Sequence, residues 1–318
     1  MNQPILASHE YNEHPVFNPL TLHLDTPAIR KINEDVHRWI WTGSTGALIA
    51  GAARAGKTTA LLTLADQLYT RGKVKIPTFF ISIGSRDANT IASVFRRLCI
   101  CAKLKVSNHD RADHLAIRFI HFIADAAVKA NCQQVLLIVD EMQHLTAGQF
   151  DAFAELHDEL ARLQVSLTVI FVANDPECWS LIEQIEKPRY AHIHGRFFNQ
   201  GAQLHGLTSK EDVRFCLAQY DTLHYPELGP SYTAFFVPEW VNEGWKLASL
   251  SSDIWRVFTE YKKNYKITSW GMKYFTAAIN TLLCDFLAQQ EMDEFDDEVF
   301  HECIRVSGLI PSLVRPKR

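Results

Sequence analysis

Five short apolar runs, Ala47–Ala50, Thr78–Ile83, Val135–Val139, Leu167–Ala173 and Gln203–Leu207, alternate along this chain with stretches of helical period. Short apolar runs bounded by polar clusters predict buried strands, and their alternation with helices predicts a parallel sheet. The helical stretches are Lys57–Tyr69 (Leu61, Leu64, Ala65, Leu68), His109–Ala130 (Leu115, Phe119, Phe122, Ile123, Ala126) and Phe150–Leu163 (Phe153, Leu156, Leu160). Ahead of them, Pro4, Pro15 and Pro19 predict an extended start. A helix then opens at Thr26-Pro27 and carries Ile29, Ile32, Val36 and Ile40. Asp25 or Thr26 can cap it, and proline is tolerated in a first turn. After Leu207 the strand pattern ends. Thr208-Ser-Lys-Glu211 forms a capping-box signature, and helices are expected over about 209–223, 238–249, 252–263, 268–290 and 295–307, with a loop at Tyr225–Tyr232. The pattern predicts an N-terminal arm over 1–43, an α/β nucleotide domain over 44–208 and a smaller all-helical domain over 209–318.

Chemistry enters at the turn after the first strand. Gly51-Ala52-Ala53-Arg54-Ala55-Gly56-Lys57-Thr58 matches G-x-x-x-x-G-K-[ST] throughout, between a strand and a helix. Glycines let such a loop wrap phosphate oxygens with its N–H groups inward, and the helix N-terminus favours the anion. Lys57 is placed to reach the β- and γ-phosphates and Thr58 to ligate Mg²⁺, with Thr59 grouped among the nucleotide-binding residues. Val135-Leu-Leu-Ile-Val-Asp140-Glu141 supplies the second half. A buried strand delivers Asp140 to the carboxyl edge of the sheet, where ligands of parallel sheets bind. Asp140 is expected to hold the Mg²⁺ shell. Glu141 is expected to polarise the attacking water, since phosphoryl transfer needs mainly positioning and charge stabilisation. Asn174, which ends the next apolar run, is a candidate sensor touching both the water and the γ-phosphate. The implied ligands are ATP and Mg²⁺, and the implied reaction is hydrolysis.

A strand ending in asparagine after an Asp-Glu pair, followed by a helical lid, resembles the AAA+ class of P-loop NTPases. That resemblance implies oligomers in which an arginine from one subunit completes the neighbour's site. Arg196, followed by Phe197 and Phe198, stands where the class places this arginine, and Arg189 is the second candidate. The guanidinium stays charged and can grip phosphate oxygens bidentately. In the helical region, Ser252-Asp253-Ile-Trp255-Arg256-Val-Phe258 resembles the second sensor of initiator-type members. Arg256 is then expected to reach the γ-phosphate, although serine replaces the usual glycine at 252.

More narrowly, Gly51–Thr58, Asp140-Glu-Met-Gln143-His144-Leu145, the Gly195-Arg196-Phe turn and Ser252–Phe258 with Ile267-Thr268 resemble TnsC/TniB-type transposon ATPases. The likeness spans about residues 20–290 and, in its compact length, is similar to the short forms of CRISPR-associated transposons. It implies a regulator of DNA transposition that assembles with ATP around duplex DNA as a ring or filament. It also implies recruitment of a transposase to a target marked by a TniQ-type factor, and disassembly on hydrolysis. Lys103 and Lys105, with Arg96 and Arg97, flank the segment after the second strand, where initiator-type relatives place DNA-facing elements. Point charges of this kind track phosphates without reading sequence. Lys262, Lys263 and Lys266 form a weaker basic cluster, and the tail Val314–Arg318 suits a partner or DNA.

Composition changes this picture little. The 318-residue chain carries a net charge of −4, which neither requires nor excludes nucleic acid. No apolar run reaches the ~18 residues of a membrane span, and the N-terminus lacks a secretion signal. Seven cysteines without a C-x-x-C pair predict free thiols in a reducing cytoplasm. His192 and His194 lack acidic or thiol companions and are read as non-ligands. Trp240, Trp245, Trp255, Trp270, Phe258, Tyr261 and Phe275 are read as helical-domain core. Three other readings stay open: a helicase-loader or initiator ATPase, a signalling ATPase that binds no DNA, and a small-molecule kinase.

Overall fold

The computed structural model describes residues 13–18, 21–85, 89–289 and 295–311. The chain divides into two units. One comprises Lys31–Ala53 and Lys57–Leu204; the other comprises Met1–Arg30, Arg54–Gly56 and His205–Arg318.

The first unit is built on β1 (Gly46–Gly51), β2 (Thr78–Ser82), β3 (Gln134–Asp140), β4 (Ser166–Asn174) and β5 (Gly201–Leu204). Their order is β2-β3-β4-β1-β5, and every pair is parallel. This is the expected α/β architecture of an AAA+ P-loop NTPase. Along β3 and β4 nearly every residue is buried, which is why these strands read as unbroken apolar runs. The register sets Gly51 beside Asn174 and Ser82 beside Asp140, so chemistry-bearing residues share one edge of the sheet. Phe150, Phe153 and Phe171 pack together on the sheet at centroid distances of 5.0–6.1 Å. The helix Ala112–Lys129 buries Leu115, Phe119 and Ile123 in the same core. Gly51 has no alternative: a Cβ there would lie 2.4 Å from the Leu204 carbonyl oxygen of β5.

The second unit centres on Trp270, which stacks on Phe258 at 4.3 Å and meets Phe275 edge-on at 5.2 Å, all three fully buried. Trp240, Trp245, Trp255 and Tyr261 are partly buried against that cluster. Asp221 organises the loops, accepting hydrogen bonds from Thr233 Oγ1 (2.7 Å) and from the Leu247 and Ala248 N–H groups (2.9 and 3.1 Å). Thr26 caps the helix Pro27–Trp41 by accepting from the Ile29 N–H at 3.0 Å.

Several boundaries differ from the pattern. The fifth strand, expected at Gln203–Leu207, runs over Gly201–Leu204 instead. Leu207 pairs with Trp270 through two backbone bonds of 2.8 and 2.9 Å, and a Cβ on Gly206 would fall 2.2 Å from the Trp270 oxygen. An apolar run does not say which backbone it pairs with. The helix expected to reach Tyr69 stops at Asp66, because Tyr69 bridges Lys75. The helix expected over 238–249 breaks at Gly244, whose φ of +91° ends it. That expected from 268 starts at Met272, after the Trp270 bridge, and passes into a π turn at Leu282–Phe286. A helix at Ile91–Cys101, capped by Thr90, adds an element beyond those the pattern predicts. Pro4 and the tail Val314–Arg318 lie outside the described residues, as does Pro19.

His14 is fully buried in the second unit against Tyr232, Phe235 and Phe236, with ring centroids 5.0, 4.4 and 5.7 Å away. Its Nδ1 accepts the Val16 N–H at 3.2 Å, and Nε2 has no partner. Burial pushes its pKa down from 6.5 to about 4. The folded value is depressed, so the contribution is complete above pH 6.5 and is lost as pH falls towards 4. Urea midpoints of wild type and His14→Leu should therefore diverge across that window. The pH-dependent part of the difference should be on the order of 3 kcal/mol, with wild type the more acid-sensitive.

Candidate functional site

The site forms at the carboxyl edge of the sheet, where three strand tips meet the loop after β1. Lys57, the first residue of its helix, is only 8% exposed. Its Nζ donates to the Gly51 carbonyl (2.7 Å), the Ala52 carbonyl (2.8 Å) and Asn174 Oδ1 (2.8 Å). Burial lowers its pKa, and Asp140 and Glu141 offset part of that shift. A buried ammonium held chiefly by neutral oxygens is a strong receiver for an anion. Arg54 and Gly56 take positive φ, 67° and 95°, as a loop that turns N–H groups towards phosphate requires. The remaining loop positions divide simply: Ala52, Ala53 and Thr59 are exposed, and Ala55 is buried.

Thr58 Oγ1 donates to Asp140 Oδ2 at 2.7 Å. Hydroxyl and carboxylate oxygens this close form the oxygen-rich corner that suits Mg²⁺, and Asp140, at 4% exposed, has few other partners for its charge. The residues present thus fit both ATP phosphates and Mg²⁺.

Glu141 follows in the left-handed region (φ 59°, ψ 39°), with its N–H on Asp140 Oδ1 at 2.9 Å. Asn174 Nδ2 donates to Glu141 Oε2 at 3.3 Å while its Oδ1 accepts from Lys57. Asn174 therefore links Lys57 to the Glu141 carboxylate. Gln143, from the same Asp140–Leu145 motif, joins this arrangement. Its Nε2 donates to Glu141 Oε2, and its Oε1 accepts the Asn174 backbone N–H at 3.2 Å. Its place two residues after Glu141, on a turn beside the site, was the available signal.

The arginines are placed differently from one another. Arg196 is partly buried and donates to Asp158 Oδ1 (3.0 Å) and the Ala154 carbonyl (3.2 Å). Arg189 is exposed on the turn Pro188–Tyr190, its guanidinium 5.4 Å from the Tyr190 ring centroid. Arg256 grips Asp297 with two bonds, 2.6 and 2.7 Å, inside the helical unit. Arg97 donates to the Ser82 carbonyl (2.7 Å) and Arg96 to the Ser107 carbonyl (3.0 Å). Lys103 and Lys105 are exposed just beyond the helix Ile91–Cys101. His192 lies 3.1 Å from Asp151 Oδ1. Among the described residues, no helix is long and apolar enough to cross a membrane.

A family model described as an AAA domain matches residues 42–182, a span that includes Gly51–Thr58, Asp140, Glu141 and Asn174. Over that span the chain is similar to the AAA domains of ATP-binding, nucleotide-hydrolysing ATPases. Among solved structures the chain is similar to Cdc6p from Pyrobaculum aerophilum (15% identity, 85% of this chain and 70% of that one, TM-score 0.44). It is similar to a Walker-type ATPase of Pyrococcus abyssi (15%, 88% and 88%, 0.41) and to a self-assembling katanin (10%, 89% and 82%, 0.43). Likenesses this shallow carry no weight for function. The comparison with curated proteins found no match.

Lys57→Met should weaken ATP binding at least tenfold, since a charged hydrogen bond contributes about 1.5–3 kcal/mol. Titration with a fluorescent ATP analogue checks this, with thermal unfolding run alongside to show that the fold survives.

Proposed function

We propose that this chain is an ATP-hydrolysing AAA+ switch that assembles in several copies on duplex DNA and regulates transposition. The hydrolytic part is carried by one observation: Glu141 is fixed beside Asp140 and joined to Lys57 through Asn174. In this reading, Lys57 and the loop Gly51–Thr58 hold the phosphates. Thr58 and Asp140 hold Mg²⁺, which neutralises phosphate charge when bound. Glu141 draws the proton from the attacking water, and Asn174 orients it. The engagement of Arg196 by Asp158 and Ala154 favours the exposed Arg189 as the residue offered to a neighbouring subunit. Arg256 completes the set as a nucleotide sensor, exchanging Asp297 for phosphate.

The DNA-bound part rests on Lys103 and Lys105, whose exposure suits phosphate contact, whereas Arg96 and Arg97 are already held by carbonyls. The resemblance to TnsC/TniB-type ATPases supports the finer reading. ATP then drives assembly, a transposase and a TniQ-type factor are the partners, and hydrolysis releases the DNA.

Glu141→Gln should bind ATP normally and hydrolyse it at least about a hundredfold more slowly, as expected for loss of a base that activates water. Phosphate release measured at saturating ATP decides this, and a wild-type rate would remove the hydrolytic assignment. Mixing Arg189→Ala with Lys57→Met subunits should restore activity that each lacks alone, and no recovery would argue against a shared site. Fluorescence anisotropy of a random-sequence duplex should show binding that needs a slowly hydrolysed ATP analogue and weakens with salt. The double change Lys103→Glu/Lys105→Glu should flatten the logarithmic salt slope by about 2 per subunit engaged. Nucleotide binding without DNA binding under any condition would leave a protein-directed ATPase in its place.

A further inference from the structure

We infer that Gln143 is the positioning residue that aims Glu141 at the attacking water. The inference rests on Glu141 being the group that activates that water. Both of its neighbours in the chain are anchored. Met142 is fully buried, and His144 Nδ1 lies 3.0 Å from the Ile83 carbonyl oxygen. The turn Met142–His144 is closed by the His144 N–H on the Glu141 carbonyl (3.0 Å) and the Leu145 N–H on the Met142 carbonyl (2.9 Å). Gln143 is thus pinned at its backbone between the tips of β3 and β4.

Its side chain has one productive orientation. The Asn174 backbone N–H can only donate, so the Gln143 atom 3.2 Å away is the oxygen Oε1. The Nε2 amide must then face Glu141, and it donates to Oε2. Asn174 is fixed by the same logic. Lys57 can only donate, so Asn174 presents Oδ1 to it at 2.8 Å and turns Nδ2 towards Glu141 Oε2 at 3.3 Å. Two oriented amides therefore converge on one carboxylate oxygen. Glu141 Oε1 takes no hydrogen bond from the described residues and is the atom left to accept a proton.

The division of labour follows. As the water oxygen bonds to the γ-phosphorus, the bond from that phosphorus to the β,γ-bridging oxygen breaks and ADP leaves with its electron pair; the water's O–H bond breaks and the proton passes to Oε1, while the two donors hold Oε2. A carboxylate on three rotatable bonds, starting from a left-handed residue, has many orientations available; the clamp selects one. The two amides differ in one respect. Asn174 depends on Lys57 for its orientation, and Lys57 exchanges partners when phosphate arrives. Gln143 depends on a backbone N–H that does not, so its hold on Glu141 persists through the nucleotide cycle.

The test uses the full chain and three single variants: Gln143→Ala, Gln143→Glu and Glu141→Gln. Gln143→Ala removes the clamp, and kcat should fall about 10–100-fold with ATP affinity within about twofold of wild type. Gln143→Glu keeps the acceptor for Asn174 but replaces the donor with a negative charge beside Glu141. Like charges repel, so the Glu141 carboxylate is pushed from its place and kcat should fall at least as far as in Gln143→Ala, again with ATP affinity within about twofold of wild type. A residue that only supports the fold would lose affinity and thermal stability together with kcat. Two results overturn the inference: wild-type kcat in both Gln143 variants, or a loss of kcat matched by equal losses of affinity and thermal stability. Glu141→Gln separates this inference from the reading beneath it. If Glu141→Gln is inactive while the Gln143 variants are normal, only the clamp is wrong. Should Glu141→Gln hydrolyse ATP like wild type, the role of Glu141 falls and the clamp with it.

Discussion

Lys57 is a cation held out of water by the first strand, the loop after it and the tip of β4, and Asn174 takes its side-chain orientation from that arrangement. Its ammonium can be satisfied only by oxygens, and it finds three: two loop carbonyls and the side chain of Asn174. Burying charge in this way is costly unless the charge is fully hydrogen-bonded. The bonds to neutral groups leave the ammonium with an unmet preference for anions, which Asp140 and Glu141 only partly answer. A phosphate group carries the kind of charge that would meet that preference.

The strand order extends this local constraint across the edge of the sheet. With β4 between β1 and β3, Asn174 stands next to Gly51 on one side and within reach of Glu141 on the other. A single asparagine thereby couples Lys57 to Glu141. Parallel strands make this possible because all their carboxyl ends face one edge. Gly51 shows how tightly that edge is drawn, since β5 leaves no room for even a methyl group beside the loop.

The arginines and lysines show the opposite case, where residue type is informative and placement is not. Arg196, Arg96, Arg97 and Arg256 all carry charge suited to phosphate, yet each is engaged by a carboxylate or carbonyl of its own unit. Arg189, Lys103 and Lys105 stay exposed. Whether a guanidinium is available depends on acceptors such as Asp158 and Asp297, which lie 38 and 41 positions away in the chain. Separation of that order is invisible to a local motif.

The sequence by itself determined the parallel α/β core, the loop Gly51–Thr58 and the pair Asp140-Glu141. These are legible because each depends on local pattern: continuous apolar runs for strands buried on both faces, glycines where backbone must approach phosphate, and acidic residues at a strand end. Asn174 was legible for the same reason, as the polar residue closing an apolar run. Only the tertiary structure decided the rest. It placed β5 at Gly201–Leu204, broke the helix at Gly244, joined Gln143 to both Glu141 and the tip of β4, and paired Arg196 and Arg256 with carboxylates far along the chain. Apolar period and residue type record what a segment can do. Which strand pairs with which, and which donor meets which acceptor, depends on contacts between segments far apart in the chain, and no local window contains them.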